Sequence, residues 1–292
     1  MMSVLRFIML ALLFSYSCAL LAAILYAFDH WGIMNPSEID LERYFSFFKW
    51  PAIVLGAGII LLSTPIGDFM IGLCLPTRRQ ALREEAKITP ALDELKERYK
   101  DKYGLSIKPK AYVMDLPNIN GIAFGSRVVA VSSGLLKTAS DEEITAILAH
   151  EMGHLHHRDG FFNVALMVAA YPTFVLSMFL SYLYFVTWLV GAILVIIFAP
   201  LVFALSLGGL LVIGLHFLLE KILMWPVEYK ADRFAADMGF APALISLFER
   251  IEDEDVRGEE GFLAKYAYTH PPTALRIDKL ERYLMKEEKI CT

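Results

Sequence analysis

The residues best suited to chemistry lie together in His150-Glu151-Met152-Gly153-His154. Helix positions four apart share one face, one turn above the other, so His150 and His154 can close on a single ion. Neutral imidazoles are good zinc ligands, and the intervening Glu151 falls beside the metal, where a carboxylate can take a proton from water. This spacing predicts the core of a metal-dependent hydrolase. Alone it is only a moderately specific signal, and the elements around it decide.

Two imidazoles need at least one more protein ligand and an open position for water. A histidine six residues beyond His154 is one solution, but that position holds Gly160. His157 lies about 10 Å along the axis from His150, too far to share an ion with it on a regular helix. His156 points away, and both read as solvated histidines complementing a helix C-terminus. The other solution is a carboxylate from a later helix. In Glu228-Tyr229-Lys230-Ala231-Asp232, the two acids sit four apart on one face. Glu228 would complete the metal site, and Asp232 would reach the second nitrogen of a ligand histidine and fix its tautomer. The plainer alternative is an ordinary charged face shared with Lys230, Arg233 and Asp237; the upstream motif favours the ligand reading.

The elements that must position these residues belong to a membrane protein. Of 292 residues, 57% are hydrophobic, and the mean hydropathy is +0.50, above what a soluble domain carries. The formal net charge is −5 and no basic run is interleaved with aromatics, so nucleic acid is not an expected partner. Cys18, Cys74 and Cys291 are too scattered for a disulfide framework or a cysteine zinc site.

The first segment, residues 1–76, is expected to hold two spans, about 7–28 and 50–75, joined by a short acidic loop. The first is read as a retained span, because it is too long for a signal h-region and Phe14 to Ser17 make a poor cleavage site. Trp50 marks one interface of the second, Pro65 a kink within it, and Asp68 a snorkelling or interfacial carboxylate. Arg78, Arg79, Arg83 and Lys87 follow at once, which places the next segment in the cytoplasm.

Residues 77–160 read as soluble. Thr89-Pro90 is expected to open a helix that Gly104 closes. Ala111 to Met114 and Val128 to Val131 read as strands, separated by a turn region and the short apolar piece Ile122-Ala123-Phe124. Ser140 with Glu143 forms a capping box for the motif helix, which should end near Gly160. Residues 161–220 suit a hairpin of two spans, each broken by a proline (Pro172, Pro200), with Tyr182, Tyr184 and Trp188 at the turn. An even number of spans returns the chain to the side of the motif. His216 reads as a packed or interfacial histidine. Residues 221–292 then carry helical stretches near Val227 to Met238 and Ala241 to Glu252, and a charged helix from Pro272 to Glu288.

Taken together these pieces resemble the HtpX-like membrane zinc metalloproteases, a family that also includes the CAAX prenyl proteases. The resemblance rests on the His150–His154 motif with Asp159, on Glu228 to Asp232, on Thr269-His270-Pro271-Pro272-Thr273 with Arg276-Ile277, and on Ser132 to Leu136. It implies a mainly α membrane protein of four transmembrane helices with a cytoplasmic α+β zincin-like (gluzincin) domain and a small sheet. It further implies one Zn²⁺ per chain, held by His150, His154 and Glu228, with Glu151 as general base and Asp232 behind a ligand histidine. The family's Asn-Ala-Phe-Ala piece corresponds to Asn120-Gly121-Ile122-Ala123, along which substrate would lie as an added strand. Asn120 and Ala123 match it; Gly121 and Ile122 depart from it. His270 is either a donor to the oxyanion or a turn residue stiffened by Pro271 and Pro272.

The implied activity is endopeptidase cleavage of membrane proteins or unfolded polypeptides, in protein quality control and stress response, at the inner (plasma) membrane. An intramembrane protease does not fit, because Asp141, Glu142, Glu143, Arg158 and Asp159 flank the motif. A zinc-stapled scaffold would need a closed set of four ligands, and three are legible here.

Overall fold

The computed structural model describes residues 2–29, 41–190, 207, 211, 214, 224–257 and 271–291. The chain divides into two units, one of residues 1–61 and 163–223 and one of residues 62–162 and 224–292.

The first unit is built from α1 (Met2–Asp29), α2 (Leu41–Leu62) and the body of α7 (Asp159–Val190). Stretches of these three helices, Arg6–Ala27, Tyr44–Leu62 and Asp159–Tyr182, are long and apolar enough to cross a membrane. Polar side chains stitch them where hydrocarbon offers no partner. The Ser17 hydroxyl donates to the Ala169 carbonyl at 2.5 Å, and the Tyr44 hydroxyl donates to the Ala19 carbonyl at 3.0 Å. Pro172 lies inside α7, and a proline leaves the carbonyl four residues back without its helical donor; the Ser17 bond falls at the next residue.

Two expectations for this region change. The second apolar run is not one helix to Leu75: α2 stops at Leu62, and Thr64 caps a separate α3 (Pro65–Cys74) with Pro65 in its first turn. A proline lacks the donor that a continuing helix needs, and its fixed φ suits a helix start. Tyr182, Tyr184 and Trp188 lie within α7, which runs on to Val190, and not at a turn. His216, Pro200 and the fourth span fall outside the described residues.

The second unit is centred on a four-stranded sheet in the order β1-β2-β4-β3. Its strands are β1 (Thr77–Arg78), β2 (Lys110–Met114), β3 (Gly121–Phe124) and β4 (Val128–Ser132). β2 and β4 run parallel and the other pairs antiparallel, with Gly121 opposite Val131. β3 therefore lies at an edge. Alternation along the strands splits the apolar residues between two faces. Val113, Val129 and Val131 join a core with α4 (Leu82–Tyr103), α5 (Ser133–Thr138), α6 (Asp141–His157), α8 (residues 224–237), α9 (Ala241–Arg257) and α10 (Thr273–Cys291). Met114, Phe124, Val128 and Ala130 form the other face, against Ile71 of α3 and Leu75.

Asp68 is not a snorkelling carboxylate. It is 8% exposed, and it accepts the Ser126 backbone N–H at 2.7 Å and the Ser126 hydroxyl at 2.8 Å. It thus clamps the turn between β3 and β4. Gly125 in that turn has φ 61°, and a Cβ there would collide with the Asp68 carboxylate.

Helix α4 begins seven residues before Thr89, with Pro90 in its interior. Glu84 explains the earlier start: its carboxylate accepts the Ala81 backbone N–H at 2.7 Å, occupying a donor that a helix N-terminus leaves open. Gly104 closes the helix in the left-handed region, as expected. Glu84 also pairs with Arg78 at 2.7 Å. The Arg78 hydrogen bond holds the Glu84 carboxyl down at about 2, against an ordinary 4.5. A carboxyl that titrates lower when folded contributes stability that is complete above the unfolded value and is lost as pH falls through the folded one. Thermal unfolding in detergent should therefore show wild type losing more stability than Glu84→Gln between about pH 4.5 and 2. Equal losses would remove this pair from the acid response.

Candidate metal centre

Helix α6 carries the His-Glu-x-x-His motif and starts at the expected capping box. Ser140 accepts the Glu143 N–H, and Glu143 accepts the Ser140 N–H. The same Glu143 carboxylate takes Arg250 at 2.7 Å and Ser246 at 3.0 Å, which ties α9 to the start of the motif helix. The helix ends at His157, with Arg158 in the left-handed region at φ 56°. The break thus falls two residues before Gly160.

Helix α8 approaches α6 closely because Gly153 has no side chain. A Cβ there would lie 3.0 Å from Ala231 Cα and 3.1 Å from Phe234 Cβ. That approach brings Glu228 to the paired imidazoles. Glu228 Oε2 lies 3.5 Å from His150 Nε2, and Oε1 lies 3.6 Å from His154 Nε2. All three side chains are buried or nearly so, with His154 the most open at 12%. Zinc bonds of about 2.0–2.1 Å at tetrahedral angles put neighbouring ligand atoms about 3.3 Å apart. Two nitrogens and a carboxylate at these separations fit zinc in chemistry and in span.

The other nitrogen of each ring is held by an aspartate. His150 Nδ1 meets Asp232 Oδ1 at 2.9 Å, and His154 Nδ1 meets Asp159 Oδ2 at 3.1 Å. A ring that donates from Nδ1 presents the Nε2 lone pair, and both Nε2 atoms face Glu228. Arg276 of α10 backs Asp232 with two bonds, Nε to Oδ2 at 2.8 Å and Nη2 to Oδ1 at 2.5 Å, while its guanidinium lies 4.1 Å from the Phe248 ring centroid. Burial alone would lower the His150 pKa; the Asp232 and Glu228 carboxylates outweigh it and push it up to about 10. Burial would raise the Asp232 carboxyl, but Arg276 holds it below its usual range. The pocket favours positive charge between its carboxylates.

Glu151 is buried at the edge of the sheet. Its Oε1 is 2.7 Å from the place a Cβ on Gly121 would take, so glycine at this point of β3 makes room for the carboxylate. Ile122 and Ala123 follow in β3 and Asn120 precedes it; the Asn120 N–H donates to the Ser132 hydroxyl at 3.0 Å. His270 lies outside the described residues.

Sequence spacing assigned no contact to Asp159 or Arg276. Asp159 follows a helix break, where the i,i+4 rule does not apply, and Arg276 is 126 residues from His150. His156 and His157 are also not both solvated. His156 packs among Tyr99, Tyr103 and Phe234 and shares a 3.1 Å hydrogen bond with the Tyr99 hydroxyl. His157 bonds the Gly153 carbonyl at 2.7 Å.

Two imidazoles and a glutamate from two helices, with a further glutamate between the imidazoles and β3 at the sheet edge among the described residues, match the donor set of metal-dependent hydrolases. The model of peptidase family M48 matches residues 86–284, and the chain belongs to that family. Among its relatives, a protease HtpX homolog of Nitrosomonas eutropha is 28% identical over 200 residues, 59% of this chain and 65% of that one. Another, from Methanocaldococcus jannaschii, is 27% identical over 220 residues, 65% of this chain and 74% of that one. The crystal structure of S. mikatae Ste24p aligns with 80% of this chain and 58% of its own, at 21% identity and a TM-score of 0.49.

Proposed function

We propose that this chain is a membrane-anchored zinc endopeptidase that cuts membrane proteins or their cytoplasmic segments, in membrane protein quality control. The observation that carries the reading is the convergence of His150, His154 and Glu228 with the far nitrogen of each ring held by an aspartate. Family membership and the three apolar helices support it.

Zinc at such a site lowers the pKa of water toward about 7 and polarises a carbonyl. The protein does the rest. Asp232 and Asp159 fix the rings, and Arg276 keeps Asp232 ionised. Glu151 accepts the proton of the attacking water and delivers it to the leaving amine. Edge strand β3 aligns an extended polypeptide by main-chain hydrogen bonds, from Asn120 to Ala123. His270 would supply a donor to the developing oxyanion. Four spans, with the basic residues after α3 on the cytoplasmic side, complete the topology.

A scaffold in which zinc only staples helices would close its site with four ligands. Among the described residues the cluster has three, the number an open site keeps. Purified protein in detergent should cleave casein or itself, lose this activity to a chelator and regain it with Zn²⁺. Cleavage indifferent to chelation would overturn the assignment.

A further inference from the structure

Helix α3 has two faces. Gly67 and Asp68 are buried, and Ile71 packs against the sheet with Leu75 just beyond the helix. The opposite side carries Ile66, Phe69, Met70 and Leu73, exposed to 57%, 66%, 46% and 71%. These four stand at i, i+3, i+4 and i+7, which is one continuous helical stripe. Ten residues thus leave four large apolar side chains uncovered on one side, more than scattered surface hydrophobics account for.

Two observations say what covers them. First, α3 starts three residues after the last residue of the candidate span Tyr44–Leu62, so its first turn follows directly on the end of that span. Second, the turn that Asp68 clamps is also touched by the start of another span. Gly160, the second residue of the candidate span Asp159–Tyr182, lies so near this turn that a Cβ there would be 2.5 Å from the Gly125 carbonyl oxygen. Asp68, six residues past the end of one candidate span, and Gly160, at the beginning of another, therefore meet at Gly125 and Ser126, so chain connectivity ties this turn and α3 to the ends of two candidate spans.

We propose that the outer stripe of α3 is a bilayer-contact surface, immersed at the boundary of headgroups and acyl chains. An interfacial helix of this kind sinks its apolar face roughly 5–10 Å into that boundary. Through Asp68 and Ser126 it then fixes the height of β3, whose Gly121 touches Glu151. The consequence for substrate rests on the protease reading: β3 receives a polypeptide lying along the membrane surface, such as a segment that flanks a transmembrane helix.

The surface itself is tested without any cleavage assay. Cys18, Cys74 and Cys291 are replaced, a nitroxide is placed at Phe69→Cys or Leu73→Cys, and the protein is put into nanodiscs of phosphatidylethanolamine and phosphatidylglycerol. The expected result is relaxation by oxygen, which partitions into lipid, with shielding from a water-soluble nickel chelate. A label at Lys100→Cys on α4 should respond to nickel. Nickel access at positions 69 and 73 would place the stripe in water and overturn the proposal. Shielding from both reagents would mean that protein covers it, which overturns it equally. Phe69→Trp in the otherwise native chain, quenched by lipids brominated along the acyl chain, is a second measurement that needs no cysteine-free background. Added quenching over the native chain is expected, and none would count against the bilayer.

Discussion

Glu151→Gln should lower turnover by about 10²–10⁴-fold, the range set by removing a general acid and base, while the protein still binds zinc as wild type does. The substitution keeps the size and shape of a side chain that is buried against Gly121, so neither the helix nor its neighbours need move. What it removes is the capacity to take a proton. His150, His154 and Glu228 form the cluster that could hold the metal, and none is altered, so zinc content after dialysis should match wild type. The check is single-turnover cleavage of casein beside metal analysis of the same preparation. A variant that cleaves at the wild-type rate would remove Glu151 from the mechanism, and one that loses its metal would give it a structural role instead. Gly121→Ala provides a milder counterpart, because the new methyl would press on the carboxylate without changing its chemistry.

Asp232→Ala should be damaging in a different way, destabilising the fold by about 3–5 kcal/mol and weakening zinc binding by about 10–100-fold. Asp232 and Arg276 are both buried and joined by two hydrogen bonds. Removing the carboxylate leaves a guanidinium without its main counter-charge in a site of low dielectric, and the His150 ring without the acceptor at Nδ1. These two losses separate in the double variant Asp232→Ala/Arg276→Met. Its stability should return most of the way toward wild type, since no charge is stranded, whereas its zinc affinity should stay low, since His150 remains unoriented. Chemical denaturation of the metal-free protein reads the first effect and competition with a zinc chelator the second. Recovery of both together would mean that Asp232 acts only through packing.

The members of the candidate metal cluster were legible in the sequence because helices convert spacing into geometry. A four-residue interval places His150 above His154 and Glu228 above Asp232 whatever the rest of the chain does. The capping box at Ser140, the Gly104 terminus and the first apolar run are local in the same sense, and the structure has them where they were expected. Hydropathy likewise identified a membrane protein.

Tertiary structure decided what depended on distant chain. Whether Glu228 meets the imidazoles turns on Gly153 admitting α8, and the contact of Arg276 with Asp232 joins residues 44 apart. Asp68 reads as a snorkelling or interfacial carboxylate until the β3–β4 turn, 58 residues later, supplies its donors. Glu84 overrode the local signal of Thr89-Pro90 by capping the helix a turn and more upstream. Pro65 marks a break for either a kink or a new helix, and only the packing of Ile71 and Leu75 on the sheet selects the second. A local pattern states which groups a segment can offer. The partners that accept them come from elsewhere in the chain, and burial, by making an unmet polar group costly, determines which pairings survive.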